Sequence, residues 1–318
     1  MSTHSINKVA IIGAGTMGGG IAISTISAGI DTVLIDASLA SLARATGRAD
    51  KFFGRNVSKG RMDVAEAEAL KAKLSLSTSY ADAAGADLVI EAVFEDLSVK
   101  DKVMAELEPL VADDCIIVTN TSSLRVGEVA ASLSVPGRFL GLHYFNPPEV
   151  NPVVEVVKGA QTDAAAVAAV SAFLERTGKI AIVCLDQSGF AINRFCVPYA
   201  NEAARCVEDD LGTTAQVDEV CRALFDLPMG PFATMNMVGL PIMLHALENL
   251  RPLGPYYAPA QNLAELGAAD GCWDIDEEPQ PLAAAAEARI QLRMKGSVFF
   301  TVGELLAEGV ASAEDVDL

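Results

Sequence analysis

The chain has 318 residues, 51% of them hydrophobic, and a formal net charge of −19. That length suits two domains with sizeable cores, and the acidic excess argues against nucleic acid or an anionic membrane as a general partner. No apolar run reaches the roughly 18 residues that a membrane helix needs, and the opening MSTHSINK has no signal-peptide-like stretch, so no membrane association and a cytoplasmic location are expected.

In chain order, KVAIIG (8–13), TVLIDA (32–37), DLVIEAV (87–93), CIIVTN (115–120), RFLGLHYF (138–145), PVVEVV (152–157) and IAIVCL (180–185) read as buried strands. Helical patterns at 17–29, 38–53, 97–111 and 163–177 alternate with them. Strands alternating with helices, and β-branched almost throughout, predict a doubly wound, mostly parallel sheet covered on both faces. After Asp186 the pattern turns helical and stays so, which predicts an all-α domain over 187–318 behind a sheet domain over 1–186. Residues 194–220 and 293–318 align weakly at an offset of 99, pairing Arg194 with Arg293, Asp209 with Glu308, and Val217-Asp218 with Val316-Asp317. This divides the helical part into a first unit, 187–281, and the start of a second, incomplete repeat, 282–318; two unrelated amphipathic helices with similar turns is the plainer alternative.

The first strand runs into Gly13-x-Gly15-x-x-Gly18 and then into a helix, and the second strand ends at Asp36, 23 residues after Gly13. That context is what a dinucleotide fingerprint requires, and it makes the α/β domain Rossmann-type. Gly13 permits the tight turn, Gly15 the approach of a pyrophosphate, and Gly18 close packing of helix on strand. Thr16 and Met17 complete the cradle at the helix N-terminus. Asp36 suits the ribose diol, and Ala37 and Ser38 supply no arginine for a 2′-phosphate, so the expected cofactor is NAD.

Arg44, Arg48, Lys51, Arg55 and Lys59 follow at helical spacing, with only Asp50 opposing them. Such a face is either plainly solvated or a handle for an anionic substrate beside the cofactor crevice. The six cysteines (115, 184, 196, 206, 221 and 272) form no CxxC pair, which reads as buried free thiols and no metal site. His143 in GLHYFNP (141–147) is either a packed core histidine or a proton-moving group, since imidazole takes and releases a proton near neutral pH. Glu155 lies 12 residues on, within reach of a turn and an adjacent strand. Asn120 and Ser123 have a plainer reading as caps of the following helix.

NTSSL (120–124), GLHYFNP (141–147), PVVEVV (152–157) and GFAINR (189–194), in this order behind the glycine fingerprint, closely resemble the L-3-hydroxyacyl-CoA dehydrogenase family, on its (S)-3-hydroxybutyryl-CoA dehydrogenase branch. The resemblance spans roughly residues 6–250 and includes PMGPF (228–232). It implies NAD-dependent interconversion of 3-hydroxyacyl-CoA and 3-oxoacyl-CoA, with His143 and Glu155 as the catalytic dyad. It further implies that Ser122 and Asn193 bond the reacting oxygen or hold His143. By the same resemblance Glu95, Lys100, Ser122 and Asn146 are expected near the cofactor and Lys59 near the coenzyme A phosphates, which favours the ligand reading of the basic face with Arg48, Lys51 and Arg55; two subunits are expected to pair through the helical domain. A dehydrogenase of a free hydroxy acid or carnitine-like compound on the same fold, and a non-catalytic NAD-binding protein, are the alternatives.

The chain departs from the family pattern at several points. DQSGF lacks the usual proline before Gly189-Phe190, and Asn151-Pro152 stand where relatives carry Met-Lys. YYAPAQNLAELGAADGCWDI (256–275) replaces a C-terminal lysine-containing segment, and Leu292 occupies the position of Asn193 in the second repeat. His245 reads as a helix-packing or surface residue, and His4 belongs to the terminus.

Overall fold

The computed structural model describes residues 5–275 and 280–317, so His4 lies outside the described residues. The chain divides into two compact units, Met1–Asp186 with Ser312–Leu318, and Gln187–Ala311.

The first unit is built on eight strands: β1 (Lys8–Ile12), β2 (Asp31–Ile35), β3 (Leu74–Ser77), β4 (Leu88–Glu91), β5 (Ile116–Thr119), β6 (Phe139–Tyr144), β7 (Val153–Lys158) and β8 (Ile180–Leu185). Their order is β3-β2-β1-β4-β5-β6-β7-β8. All neighbours are parallel except β7, which runs antiparallel to β6. The helices are α1 (Thr16–Ser27), α2 (Leu39–Ser58), α3 (Val64–Lys71), α4 (Leu97–Leu107), α5 (Val126–Ala130) and α6 (Ala164–Arg176). Val9, Ile11, Leu34, Ile90, Val118 and Leu142 form one core with Ile21 and Ala22 of α1 and Val170 and Phe173 of α6. Strands with every residue buried, such as β4 and β5, explain the near-continuous apolar runs.

The sequence predicts seven strands, and the eighth, β3, is the one it hides. LSLS is four residues long, half serine, and sits at the sheet edge with Leu76 exposed, so no buried apolar run marks it. Helix α3, begun by the Asp63 side chain accepting from the Glu66 amide, is also additional to the sequence reading. Helix α2 continues through Gly47 and Gly54 to Ser58. Each mid-helix glycine costs about 1 kcal/mol, and burial of Leu42, Ala45, Ala49 and Phe53 along the opposite face offsets it.

The second unit holds α7 (Asn193–Glu208), α8 (Thr214–Phe225), α9 (Pro231–Val238), α10 (Leu240–Leu250), α11 (Gln261–Ala268) and α12 (Ala284–Ala307); α13 (Ala313–Val316) belongs to the first unit and lies against β8. Its core gathers Val197, Ala204, Phe232, Leu247, Tyr257, Leu263 and Met294. Four of the six cysteines are buried, in keeping with the reading of buried free thiols; Cys196 and Cys272 are exposed and depart from it. His245 is exposed on α10. Among the described residues no helix is long and apolar enough to cross a membrane, and no three His, Cys, Asp or Glu side chains form a metal-binding group.

The weak repeat has a geometric counterpart. Helices α7 and α12 both end in a left-handed residue 99 positions apart, Asp210 (φ 54°) and Gly309 (φ 65°). The closing bonds match too, Leu211 N–H to Cys206 O and Val310 N–H to Leu305 O, and so do the next helix caps, Thr213 and Ser312. The two helices pack antiparallel and exchange charges reciprocally. Arg194 of the first copy meets Glu308 of the second at 2.6 Å, and Arg293 of the second meets Asp209 of the first. Arg194 has no exposed side-chain surface, while Glu308 is half exposed. Removing the acid therefore strands a buried guanidinium. Glu308→Ala is expected to lower unfolding free energy by about 1–3 kcal/mol, below the 3–5 of a fully buried pair because Glu308 is partly hydrated; urea midpoints with unchanged m-values check it.

Candidate active site

Strand β1 lies between β2 and β4, so the crevice at its carboxyl end is the switch point of a doubly wound sheet. Gly13 leaves β1 with φ +101°, and a Cβ there would sit 2.5 Å from Ala92 O, so a turn and a close approach both require glycine. A Cβ on Gly18 would sit 1.8 Å from Gly13 O, which seats α1 tightly on the turn. Gly15 is exposed with open space where a side chain would be, and α1 starts at Thr16 with no side-chain cap. Asp36 Oδ2 accepts from Ala14 N–H at 2.7 Å and Oδ1 from Ser38 N–H at 2.7 Å, tying the end of β2 to the turn. Each carboxylate oxygen keeps a second lone pair for a ribose hydroxyl. Uncapped amides, an open glycine and a placed aspartate fit a dinucleotide with Gly13, Gly15, Thr16, Met17, Gly18 and Asp36 as its cradle.

At the neighbouring strand ends, β6 and β7 pair antiparallel with His143 directly opposite Glu155. Cross-strand partners share one face of the sheet, and His143 Nδ1 lies 2.6 Å from Glu155 Oε2. His143 is 6% exposed and Glu155 fully buried. A carboxylate so buried needs a partner, and the imidazole supplies one. Phe145 packs against the imidazole, ring centroids 4.5 Å apart. Asn120, after β5, accepts from the Tyr144 amide at 2.9 Å and so ties its loop to the histidine strand.

Ser122 is exposed on that loop. Glu95 Oε1 accepts from Thr121 Oγ1 (2.6 Å), Ser122 N–H (2.8 Å), Ser123 N–H (3.0 Å) and Ser123 Oγ (3.0 Å). Neither Asn120 nor Ser123 caps α5. Instead the Asp186 carboxylate accepts from Val126 and Gly127 N–H at 2.9 and 2.8 Å, a residue the sequence reading left as a boundary marker. Lys100 is 1% exposed, and its ammonium bonds Glu91 at 2.8 and 3.0 Å and lies 3.3 Å from Glu95. Glu91 also accepts from Thr119 Oγ1 and Val93 N–H. Sequence reasoning missed Glu91; a carboxylate inside the apolar run DLVIEAV, nine residues before a lysine, is the signal that marks it.

The remaining expected residues fall as follows. Asn146 is exposed three residues past His143. Arg44, Lys51, Arg55 and Lys59 are exposed along α2 and its end, whereas Arg48 is half-buried against Glu149. Asn193 opens α7 in the second unit.

Residues 8–187 match the family model described as 3-hydroxyacyl-CoA dehydrogenase, NAD binding domain, and residues 189–272 the 3-hydroxyacyl-CoA dehydrogenase, C-terminal domain. A Mycobacterium tuberculosis 3-hydroxybutyryl-CoA dehydrogenase is 39% identical over 240 residues, 75% of this chain and 84% of that protein. A Psychrobacter arcticus fatty acid oxidation complex subunit alpha is 34% identical over 302 residues, 91% of this chain; the chain spans only 42% of that relative's length. The crystal structure of the Ralstonia eutropha (S)-3-hydroxybutyryl-CoA dehydrogenase PaaH1 superposes with a TM-score of 0.81 at 33% identity, covering 85% of this chain and all of that one.

Burial opposes ionisation of Glu95, but the Lys100 ammonium and the hydroxyl and amide donors of 121–123 outweigh it and hold the carboxyl down at about 2. A depressed carboxyl stabilises the fold above its unfolded pKa, roughly 4.3, and loses that contribution as pH falls through the folded value. The stability gap between the parent and Glu95→Gln is therefore expected to be full above about pH 5 and to close toward pH 2, read from urea midpoints across that range.

Proposed function

The chain belongs to the 3-hydroxyacyl-CoA dehydrogenase family, its first unit being that family's NAD-binding domain, and from this premise we propose that it interconverts an (S)-3-hydroxyacyl-CoA and the corresponding 3-oxoacyl-CoA. What carries this reading is the 2.6 Å contact of buried His143 with Glu155, beside the dinucleotide cradle. A bound nicotinamide supplies the acceptor for the hydride in oxidation and its donor in reduction.

The chain's own residues move the proton and hold the parts. With Nδ1–H donated to Glu155, Nε2 carries the lone pair that takes the substrate hydroxyl proton. The imidazolium so formed is offset by the Glu155 carboxylate, which also keeps the ring from turning. In reduction the same Nε2–H returns the proton to the forming alkoxide. Ser122, presented by the Glu95-pinned loop, donates to the reacting oxygen. Asn146 meets the cofactor side of the turn after His143, and Lys51, Arg55 and Lys59 meet the coenzyme A phosphates. A cytoplasmic location and pairing of two copies through the helical unit belong to this reading; the α7 face that meets α12 is not open for such pairing.

His143→Ala is expected to lower kcat by about 10²–10⁴ while NADH affinity, read by fluorescence titration, stays within about twofold. Undiminished NAD reduction overturns the dyad. Replacing Lys51, Arg55 and Lys59 by alanine is expected to raise KM for a 3-oxoacyl-CoA about tenfold, roughly 1.4 kcal/mol of lost binding. A spectrophotometric NADH assay across 3-oxoacyl-CoAs and free 3-oxo acids, with NADPH in parallel, reads it; preferred turnover of free acids reassigns the substrate.

A further inference from the structure

The loop between β6 and β7 carries Asn146 and joins the strand of His143 to the strand of Glu155. It is tied to the dinucleotide cradle by one charged fork. Arg48 Nε lies 2.9 Å from Glu149 Oε1 and its Nη2 2.6 Å from Glu149 Oε2, a bidentate pair across 101 residues of sequence. The third arm, Nη1, donates to Thr16 O at 2.6 Å, at the first residue of α1. Glu149 is 9% exposed and Arg48 27%, so the carboxylate is largely shielded from water and the guanidinium partly so.

The seat beneath this fork is a glycine. A Cβ on Gly20 would sit 2.6 Å from Glu149 Oε2, 2.8 Å from Pro148 Cδ and 3.0 Å from Arg48 Nη2. Gly20 lies outside the GxGxxG fingerprint, so cofactor binding gives no reason for it. Its bare backbone lets Pro148 and Glu149 rest on α1. Lys179 closes the loop from the other side, donating to Pro148 O at 2.6 Å and Asn151 O at 2.7 Å.

We propose that Arg48 and Glu149 are positioning residues. They hold the loop beyond His143 at a set distance from the start of α1, and so fix the proton acceptor relative to the nicotinamide end of the bound cofactor. This rests on the dehydrogenase reading for its kinetic consequence, but the clamp itself is a property of the free protein. It separates Arg48 from the exposed cations of its helix, since its three arms are spent on Glu149 and Thr16 rather than on a phosphate.

The test compares Arg48→Met, Glu149→Leu, their double variant, Arg48→Lys and Gly20→Ala in the full chain. Hydrogen exchange of peptides covering 145–152 is expected to rise in the first three and in Gly20→Ala without any ligand, as the Val150 and Asn151 amides lose their bonds to Pro147 O. In turnover, each single variant is expected to lose about tenfold to a hundredfold in kcat, with KM for the acyl-CoA within about twofold. The double variant should be no worse than the worse single, and Arg48→Lys should recover part of the loss. An Arg48→Met protein whose acyl-CoA KM rises tenfold while Glu149→Leu leaves it unchanged makes Arg48 a coenzyme A contact and overturns the clamp. Unchanged exchange in both singles overturns it irrespective of substrate; raised exchange with no turnover of any acyl-CoA spares the clamp and sinks the dehydrogenase reading.

Discussion

The antiparallel turn of β7 against β6 is the constraint on which the rest of the site depends. Strands β1 to β6 all run parallel to one another, and such strands deliver their ends to one edge of the sheet. Reversal at residues 145–152 instead sets residue 155 opposite residue 143. Side chains alternate faces with a period of two, so a slip of one residue would turn Glu155 away from His143 and bury its charge without a partner. Burial thus enforces the register, and the register keeps the imidazole oriented. The loop that makes the reversal must then have a fixed length and a fixed seat, which is why Gly20, Pro148 and Glu149 crowd together on α1.

Elements whose residues are buried on a simple period were legible from the sequence. β8 is the run IAIVCL residue for residue, and the turn at Gly13 and Gly18 follows from the strand that precedes it. β3 was not legible, because an edge strand needs no continuous apolar run. The basic stripe shows the limit of spacing arguments. Periodicity places Arg44, Arg48, Lys51 and Arg55 on one helix, but it cannot reveal that Arg48 meets a glutamate 101 residues away. The same holds for Lys100, whose partner Glu91 lies inside an apolar run that reads only as a strand. Local patterns disclose elements and faces; the long-range pairing of charges depends on topology.

That pairing also resolves an apparent mismatch in an acidic protein. With 42 carboxylates against 23 Lys and Arg, a site lined by ordinary surface would be strongly negative. Three buried or half-buried cations answer this locally. Lys100 sits between Glu91 and Glu95, Arg48 on Glu149, and Lys179 on two loop carbonyls. Each holds a strand end or a loop at the sheet's edge, so the cations act as braces whose charge is consumed internally. The exposed Arg44, Lys51, Arg55 and Lys59 are then the positive surface that remains on this helix and its end.

The tail follows the same logic of reciprocal pairing. In the repeat, α7 and α12 carry an arginine near the start and an acid just past the end of the shared stretch, at positions 99 residues apart. Two such helices laid antiparallel bring each arginine to the other's acid, and the structure has both pairs. Similarity of sequence alone would leave two unrelated amphipathic helices as an alternative. To that similarity the structure adds matching left-handed ends, matching closing bonds, matching caps and a two-fold exchange of charges. The two helices are nonetheless unequal. The α7 positions that face the core, Val197, Ala200 and Ala204, correspond to exposed Gly296, Phe299 and Gly303 in α12. The likeness of α12 to α7 is therefore confined to the face by which the two helices meet, and does not extend to the packing of the opposite face.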